Sequence, residues 1–229
     1  MAIGKLYGST YFKCSSGRLL DGRFIIDFIA YGLPFLPPYK NITKSQDDVK
    51  KGVNFAYGGA TALDVNYFKG GRVINSLNMQ FDWFKKLKPS SCKTKEECDS
   101  FFKKLLFVVG EIGRNDVLFD LSKTITELRE MALIEEGAVE LVVLGNFPIG
   151  CFTLDNVEIL KACCGGSGPY HFDDLFCGWQ STTICSDPSK LINWDGPHFT
   201  EAAHKQITKG LIEGHFANPS LKPAPFKIV

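Results

Sequence analysis

Two residues near the C-terminus have the types and spacing of a proton-transfer pair. Asp195 and His198 stand three positions apart in the segment INWDGPHFTEAAHK, residues 192–205. A carboxylate that orients an imidazole makes a general base for a hydroxyl nucleophile. The other interpretation is a helix cap followed by a surface histidine, so the pair needs support from other residues.

Two further stretches could stabilise a negatively charged oxygen. In the turn Gly58-Gly59-Ala60 a residue without Cβ allows a backbone N–H to approach a substrate oxygen. Asn115 offers an amide donor after an apolar run, although Asn115-Asp116 could also be an ordinary turn. Two donors that converge on one oxygen form an oxyanion hole, in which each is often worth about 3 kcal/mol.

The surrounding pattern predicts elements that would position these groups. Apolar runs predict strands over 52–57, 105–110 and 139–144. Helical patterns cover 122–138 and 197–216. Because continuous Leu and Val runs are typical of parallel strands, we expect an α/β fold. Its reactive groups would then gather on loops beyond the strand ends.

Local signals predict where the two helices begin and end. Thr124 or Thr126 could cap the first helix, and Gly137 could end it. The second helix would begin near Thr200. For Trp194 and Phe199, beside the candidate pair, we expect core packing.

Composition restricts the class of protein. The 229 residues carry 45% hydrophobic and 22% charged side chains, which is typical of one folded domain over 1–229. A formal net charge of +1 gives no global field for nucleic acid, and we expect a monomer. Lysines cluster within 84–104, but acidic residues interrupt them, which indicates a solvated helical face. The longest apolar stretch, 23–39, is broken by Asp27, Gly32 and prolines, so no membrane span is expected.

The cysteines favour an oxidising compartment. There are eight, and Cys92 and Cys98 are spaced to close a small loop. Zinc is the alternative, but the chain has no CxxC pair and only four histidines, so no metal site is expected. The sequon at Asn41-Ile42-Thr43 agrees with secretion, while the first residues contain no apolar core of signal-peptide length.

Seven segments together resemble the sequence blocks of one family. They are SGRLLDGRFIIDF (16–28), YGLPFLPPY (31–39), GVNFAYGGATALD (52–64), FVVGEIGRNDV (107–117), VLGNFPIGC (143–151), ACCGGSGPYHF (162–172) and SDPSKLINWDGPHFTEAAH (186–204). In these seven segments the chain is similar to the plant GDSL esterase/lipase family of the SGNH hydrolase group. The resemblance implies a three-layer, flavodoxin-like α/β fold with a parallel sheet. It also implies hydrolysis of small-molecule carboxylic esters through a serine acyl-enzyme, without cofactors, in a secreted or vacuolar protein.

The same resemblance implies roles for individual residues. Asp195 matches the orienting acid and His198 the general base, while Gly59 and Asn115 match oxyanion donors. The family's nucleophile is the serine of an FGDSLSDTGN-like block on the first strand, and residues 1–229 do not contain that block. The remaining candidates, Ser9, Ser15, Ser16 and Ser167, lack a strand-to-helix turn, so no nucleophile is assigned.

Two internal departures from the family predict that segments are missing. The chain is short after 125–131 and again after 151–156, where the family has a further strand. Because the serine block of the first strand is also absent, we expect an incomplete sheet without its first strand and a later strand. That first strand would be central in the order 2-1-3-4-5. We expect Gly59, Asn115 and His198 to lie on the same edge of the sheet. The alternatives are a non-catalytic binding protein, a non-functional splice product and an acyltransferase.

Overall fold

The computed structural model describes most of the chain and divides it into two compact units. The described residues are 5–30, 33–42, 45–68, 73–119, 130–145, 160–173, 177–213, 216–218, 221 and 227–228. Unit 1 comprises Met1–Gly32 and Pro148–Ala224, and unit 2 comprises Leu33–Phe147 and Pro225–Val229. The single domain expected over 1–229 stays a prediction, and each unit is described by itself.

The described residues form seven α-helices and five short strands. The helices are α1 Ile25–Ile29, α2 Gln46–Val49, α3 Leu77–Ser91, α4 Lys95–Phe102, α5 Arg114–Phe119, α6 Glu130–Glu135 and α7 Glu201–Glu213. The strands are β1 Leu105–Val109, β2 Glu140–Val143, β3 Cys164–Gly165, β4 Thr183–Ile184 and β5 Lys227–Ile228. Within these residues no helix is long and apolar enough to cross a bilayer.

A parallel sheet in unit 2 confirms the predicted α/β class. Strand β1 lies between β2 and β5 and is parallel to both. Its register with β2 runs from Leu106 opposite Glu140 to Val109 opposite Val143. The apolar runs at 105–110 and 139–144 therefore form adjacent parallel strands, as predicted. Strand β5 had no signal in the sequence analysis.

The strand predicted over 52–57 is wrong. That segment makes one isolated parallel bridge, between Asn54 and Pro38, and no named strand. The amide of Asn54 donates to the carbonyl of Pro37 at 2.9 Å, and the amide of Tyr39 donates to the carbonyl of Asn54 at 2.8 Å. Proline has no backbone N–H to donate, so the consecutive prolines limit the pairing to this bridge.

Helix ends follow the predicted signals where the structure describes them. Gly137 has φ of +104° after α6, and the amide of Ala138 donates back to the carbonyl of Leu133 at 3.0 Å. This left-handed residue ends the helix as expected. Thr200 Oγ1 accepts from the amide of Ala203 at 3.2 Å, which confirms the start of α7. The candidate caps Thr124 and Thr126 lie outside the described residues.

Each unit has its own buried cluster with disulfides beside it. In unit 2 the cluster contains three buried phenylalanines, and its Cys92–Cys98 disulfide confirms the predicted local pair. In unit 1 the disulfides Cys163–Cys185 and Cys164–Cys177 surround the fully buried Trp194. Burial of Phe199 agrees with the expected core packing. Cys14 is free and exposed, while Cys151 lies outside the described residues.

Candidate active site

A tight hairpin in unit 1 carries the acid and the imidazole. The amide of Trp194 donates to the carbonyl of His198 at 2.7 Å, and the amide of Thr200 donates to the carbonyl of Ile192 at 2.8 Å. Gly196 at the tip has φ of +87°, where a side chain would be strained and a Cβ would collide with the ring of Phe172. The sequence DGPH therefore folds back on itself and returns His198 to Asp195.

Asp195 and His198 form a close and partly buried pair. His198 Nδ1 lies 2.8 Å from Oδ1 and 2.8 Å from Oδ2 of Asp195, and the backbone amide of His198 donates to Oδ1 at 2.9 Å. The carboxylate is 6% exposed and the imidazole 34% exposed. An imidazole donates to a carboxylate through a protonated Nδ1, which leaves Nε2 as a proton acceptor. The pair has the geometry of a general base with its orienting acid.

A third residue, Tyr7, takes part in this arrangement. The hydroxyl of Tyr7 donates to Asp195 Oδ2 at 2.6 Å, and both residues are buried. Tyr7 and Asp195 are separated by 188 residues in the chain. No motif or spacing around Tyr7 indicates this contact, because only the tertiary fold brings the N-terminal segment to the hairpin.

Disulfide-linked backbone supports the hairpin from one side. The amides of Cys163 and Cys164 donate to the carbonyls of Asn193 and Trp194 at 2.9 and 2.6 Å. These neighbouring cysteines are each cross-linked, to Cys185 and Cys177 respectively. The segment that precedes Asp195 is thus tied to a covalently constrained stretch of chain.

The segment SGRLLDGRFIIDF has a structural role that its resemblance alone did not reveal. Asp21 Oδ1 accepts the amide of Glu201 at 2.7 Å, at the first residue of α7. The guanidinium of Arg23 binds Glu201 Oε1 through Nε at 2.9 Å and through a terminal nitrogen at 2.6 Å. A Cβ on Gly22 would collide with the same Glu201 carboxylate. This segment therefore anchors the start of α7, which directly follows the hairpin.

In unit 2 the structure brings the glycine turn and Asn115 together. Gly59 has φ of +80°, and the amide of Ala60 donates to the carbonyl of Tyr57 at 3.1 Å. Asn115 Nδ2 donates to the carbonyl of Ala60 at 2.9 Å. Neighbouring Asp116 is buried and accepts two consecutive backbone amides. The predicted donor groups thus share one local structure.

Asp116 fixes the chain that leaves the glycine turn. Its Oδ2 accepts the amide of Ala62 and its Oδ1 accepts the amide of Leu63, both at 2.8 Å. Charge-assisted bonds of this kind are stronger than those between neutral groups. The sequence interpretation of Asn115-Asp116 as an ordinary turn is therefore incomplete, since both side chains bind the backbone that follows Gly59.

The four predicted site residues thus form two pairs, one in each unit. Asp195 and His198 meet in unit 1, and Gly59 lies in the turn bound by Asn115 in unit 2. A common sheet edge for Gly59, Asn115 and His198 stays a prediction. In the described part of unit 1, the side chain of His198 hydrogen-bonds to Asp195 and to no serine. The described residues contain no cluster of metal-ligating side chains.

Comparison with known proteins shows which sequences the chain is similar to. A GDSL esterase/lipase of Arabidopsis thaliana is 37% identical over 316 residues, which covers 95% of this chain and 85% of the relative. Acetylajmalan esterase of Rauvolfia serpentina is 31% identical, over 91% of this chain and 77% of that protein. The chain belongs to the plant GDSL esterase/lipase family. Sinapine esterase of Brassica napus is 30% identical, over 93% of this chain and 79% of its own length. A scan against models of protein families matches none of them.

Membership in this GDSL family agrees with the predicted class of reaction and with missing internal segments. The named relatives are esterases and lipases, so the family function is the hydrolysis of ester bonds. The alignment with the Arabidopsis relative extends over 316 residues, whereas the whole chain has 229. That alignment is longer than the chain, which is consistent with the predicted short stretches after 125–131 and 151–156.

Proposed function

We propose that Asp195 and His198 are the acid and the general base of ester hydrolysis in this protein. In the same proposal, Gly59 and Asn115 donate hydrogen bonds to the carbonyl oxygen of the ester when it becomes negatively charged. The substrate is a small carboxylic ester. No metal or organic cofactor takes part in the proposed reaction.

The observation that carries this proposal is the binding of His198 Nδ1 by a buried carboxylate. An exposed Asp–His pair would be a common surface contact worth little. Here the carboxylate is held by Tyr7 and by the backbone of His198, while the imidazole keeps one third of its surface exposed. This arrangement fixes one tautomer and leaves Nε2 accessible, which is what a general base requires.

The proposed reaction proceeds in two steps through an acyl-enzyme. A serine hydroxyl attacks the ester carbon while its proton passes to His198 Nε2, and the alcohol then leaves with that proton. In the second step His198 takes a proton from water, the hydroxide attacks the acyl group, and the serine is restored with the carboxylic acid as product. Asp195 stabilises the imidazolium in both steps.

The nucleophile decides between catalysis and binding. The family's FGDSLSDTGN-like block does not occur in residues 1–229, and no serine binds His198 in the described part of its unit. We therefore expect a polypeptide of residues 1–229 to form no covalent phosphonyl adduct with a fluorophosphonate probe. It should also show negligible hydrolysis of p-nitrophenyl esters.

The test compares that polypeptide with a longer one from the same gene, if the transcript encodes the block in frame before Met1. The longer polypeptide should be labelled and should hydrolyse p-nitrophenyl esters. Asp195→Asn should then lower kcat by about 10⁴-fold, as a wrong imidazole tautomer does in a Ser-His-Asp triad. Retention of full activity in Asp195→Asn and in His198→Ala would refute the assigned roles.

Labelling of residues 1–229 would have a different meaning. If one serine were labelled stoichiometrically and His198→Ala abolished the labelling, a hydroxyl within this chain would be the nucleophile. Ester binding without turnover would instead support the second candidate, a non-catalytic binding protein, which the absence of the FGDSLSDTGN-like block from residues 1–229 favours. Equilibrium dialysis with a non-hydrolysable ester analogue distinguishes that outcome from an inert chain.

The compartment and the oligomeric state belong to the same proposal. We propose a secreted or vacuolar protein, which the three disulfides among the described residues support because such bonds persist in oxidising compartments. A monomer remains our expectation, and the net charge of +1 gives no global field that would attract nucleic acid. Light scattering of the oxidised protein measures the oligomeric state, and a gel shift measures binding to nucleic acid.

A further inference from the structure

Tyr7 contacts the candidate acid directly, and the proposed reaction gives it no role. Its hydroxyl donates to Asp195 Oδ2 at 2.6 Å, while His198 contributes a ring nitrogen and a backbone amide to the same carboxylate. The backbone amide of His198 binds Oδ1. Tyr7 therefore supplies Oδ2 with a donor from outside the hairpin.

The two carboxylate oxygens are equally close to the imidazole. His198 Nδ1 lies 2.8 Å from both. With donors on each oxygen, from Tyr7 on one side and the His198 amide on the other, rotation of the carboxylate would break a hydrogen bond. Hydrogen bonds to charged groups are stronger than those between neutral groups, so this restraint is considerable.

The phenol is itself held firmly in place. The ring of Tyr7 packs edge-on against Trp194 with centroids 6.3 Å apart, within the buried cluster that includes Cys163, Cys164 and Cys177. Its backbone carbonyl accepts the amide of Ser16 at 3.1 Å. Tyr7 is thus fixed by packing and by backbone bonding, independently of its bond to Asp195.

The phenol also stays protonated. Burial, followed by the nearby charge of Asp195, raises the pKa of Tyr7 well above its ordinary value. A group with a raised pKa keeps its proton throughout the working range of an esterase. The oxygen therefore donates to Asp195 and does not compete with it for a proton.

We propose that Tyr7 is a positioning residue, which holds the Asp195 carboxylate so that His198 is presented in a single tautomer. This inference rests on the proposed roles of Asp195 and His198 and adds a third residue to them. Tyr7 acts through Asp195 and does not touch the ester.

The test is Tyr7→Phe, read by the resonances of the His198 ring in the 229-residue chain labelled with ¹⁵N-histidine. Without the phenol, the charge of Asp195 is shared with fewer donors, so the Nδ1 proton of His198 should move downfield. The carboxylate is also less restrained, and exchange of that proton with water should accelerate about tenfold, as expected for one hydrogen bond to a charged group. The chain has four histidines, which makes assignment by single substitution practical.

Two control variants separate positioning from general damage. Tyr170→Phe removes a phenol from an exposed residue of the same unit and should leave the His198 resonances unchanged. Asp195→Asn should abolish the downfield proton. An unchanged His198 resonance and exchange rate in Tyr7→Phe, with Asp195→Asn effective, would overturn the proposal.

A second measurement applies if Tyr7→Phe does not fold. Tyrosine is labelled with ¹³C at Cζ in the parent chain and in Asp195→Asn. The Tyr7 signal should differ between these two chains, because the charged acceptor becomes neutral in Asp195→Asn. No shift would overturn the contact with Asp195. Neither experiment needs a nucleophile, so failure of ester hydrolysis and failure of this inference are distinguishable.

Discussion

The two loops that carry the candidate site residues are held by different means. The hairpin over 192–200 in unit 1 rests on backbone bonds to Cys163 and Cys164, both of which are cross-linked by disulfides. The turn at Gly59 in unit 2 is bound by the side chains of Asn115 and Asp116, and no disulfide involves it.

The difference follows from the regular structure available beside each loop. In unit 2 the five-residue strand β1 precedes the segment that bears Asn115 and Asp116, so a helix start can present both side chains. In unit 1 the strands beside the hairpin, β3 and β4, have two residues each. Strands of two residues do little to restrain a neighbouring loop. The two disulfides of unit 1 restrain it instead.

The largest expected effect is therefore the removal of a disulfide from unit 1. Cys163→Ala with Cys185→Ala opens a loop with a sequence separation of 22, for which chain entropy gives a loss of about 3 kcal/mol in the free energy of unfolding. Hydrogen exchange by mass spectrometry should show loss of amide protection in the hairpin over 192–200. Urea denaturation measures the loss of stability.

The matched control removes the disulfide from unit 2. Cys92→Ala with Cys98→Ala opens a loop with a sequence separation of 6, so the entropic loss is smaller. This control should leave protection of the hairpin unchanged. Equal loss of hairpin protection in both double variants would contradict the different roles assigned to the disulfides.

The second expected effect concerns the carboxylate that fixes the glycine turn. Asp116→Ala leaves the amides of Ala62 and Leu63 without their acceptor, and we expect a loss of about 2 kcal/mol in the free energy of unfolding. Asp116→Asn keeps one acceptor oxygen in the same shape and should lose less. Urea denaturation measures both. If Asp116→Ala were as stable as the parent chain, the turn would be held by other contacts.

Local features of the fold could be predicted from sequence because their causes lie close together in the chain. The runs at 105–110 and 139–144 became parallel strands, and Gly137 ends a helix because its missing side chain permits positive φ. The Cys92–Cys98 pair was also local, since six positions separate the two residues. Each of these depends on a few neighbouring residues.

Features that depend on distant partners could not be predicted in the same way. The neighbouring Cys163 and Cys164 allow several pairings, and only the tertiary fold selects Cys185 and Cys177. The prediction of a strand over 52–57 was wrong because the segment that pairs with it contains consecutive prolines. The composition of 52–57 gives no information about that segment. For the site, sequence blocks indicated Asp195 and His198 but not Tyr7, whose only link to them is spatial.

The third prediction concerns a dependence of stability on pH that histidines of unit 1 alone can cause. All four histidines of the sequence lie within 171–215, so unit 2 has none. In unit 1, burial and then the proximity of His198 lower the pKa of His204 to about 3, and its Nδ1 has no hydrogen-bond partner within the described residues. Between this value and the ordinary histidine pKa of about 6.5, the unfolded chain binds a proton that the native chain does not.

Acidification through that range should therefore destabilise the native chain, and the contribution of His204 should be absent above its unfolded pKa. The slope from one such histidine is at most about 1.4 kcal/mol per pH unit. His204→Phe, which keeps an aromatic ring beside Phe24 and Phe199, should reduce the slope by that amount. His171→Gln is the control and should retain the His204 contribution. Urea denaturation at a series of pH values measures the slopes, and equal slopes in the parent and His204→Phe would refute the assignment.

The smallest expected effect tests whether a cross-link can replace a hydrogen bond at the same place. Helix α4 begins at the cap Thr94, whose Oγ1 accepts the amide of Glu97 at 3.1 Å. The Glu97 carboxylate in turn accepts the amide of Lys93 at 2.8 Å. Thr94 lies inside the loop closed by Cys92–Cys98, so the disulfide and the cap restrain the same first turn.

Removal of a threonine cap typically costs about 1 kcal/mol, because an amide of the first turn loses its acceptor. With the disulfide intact, fraying of that turn is already limited, and we expect Thr94→Ala to cost about half of this amount. In the background of Cys92→Ala with Cys98→Ala, the full cost should appear, and Thr94→Ser should cost little in either background. Urea denaturation of the four chains of this double-mutant cycle gives the coupling between cap and disulfide. Strictly additive losses would show that the disulfide does not restrain the turn, since a cross-link that holds the turn must reduce what the cap contributes.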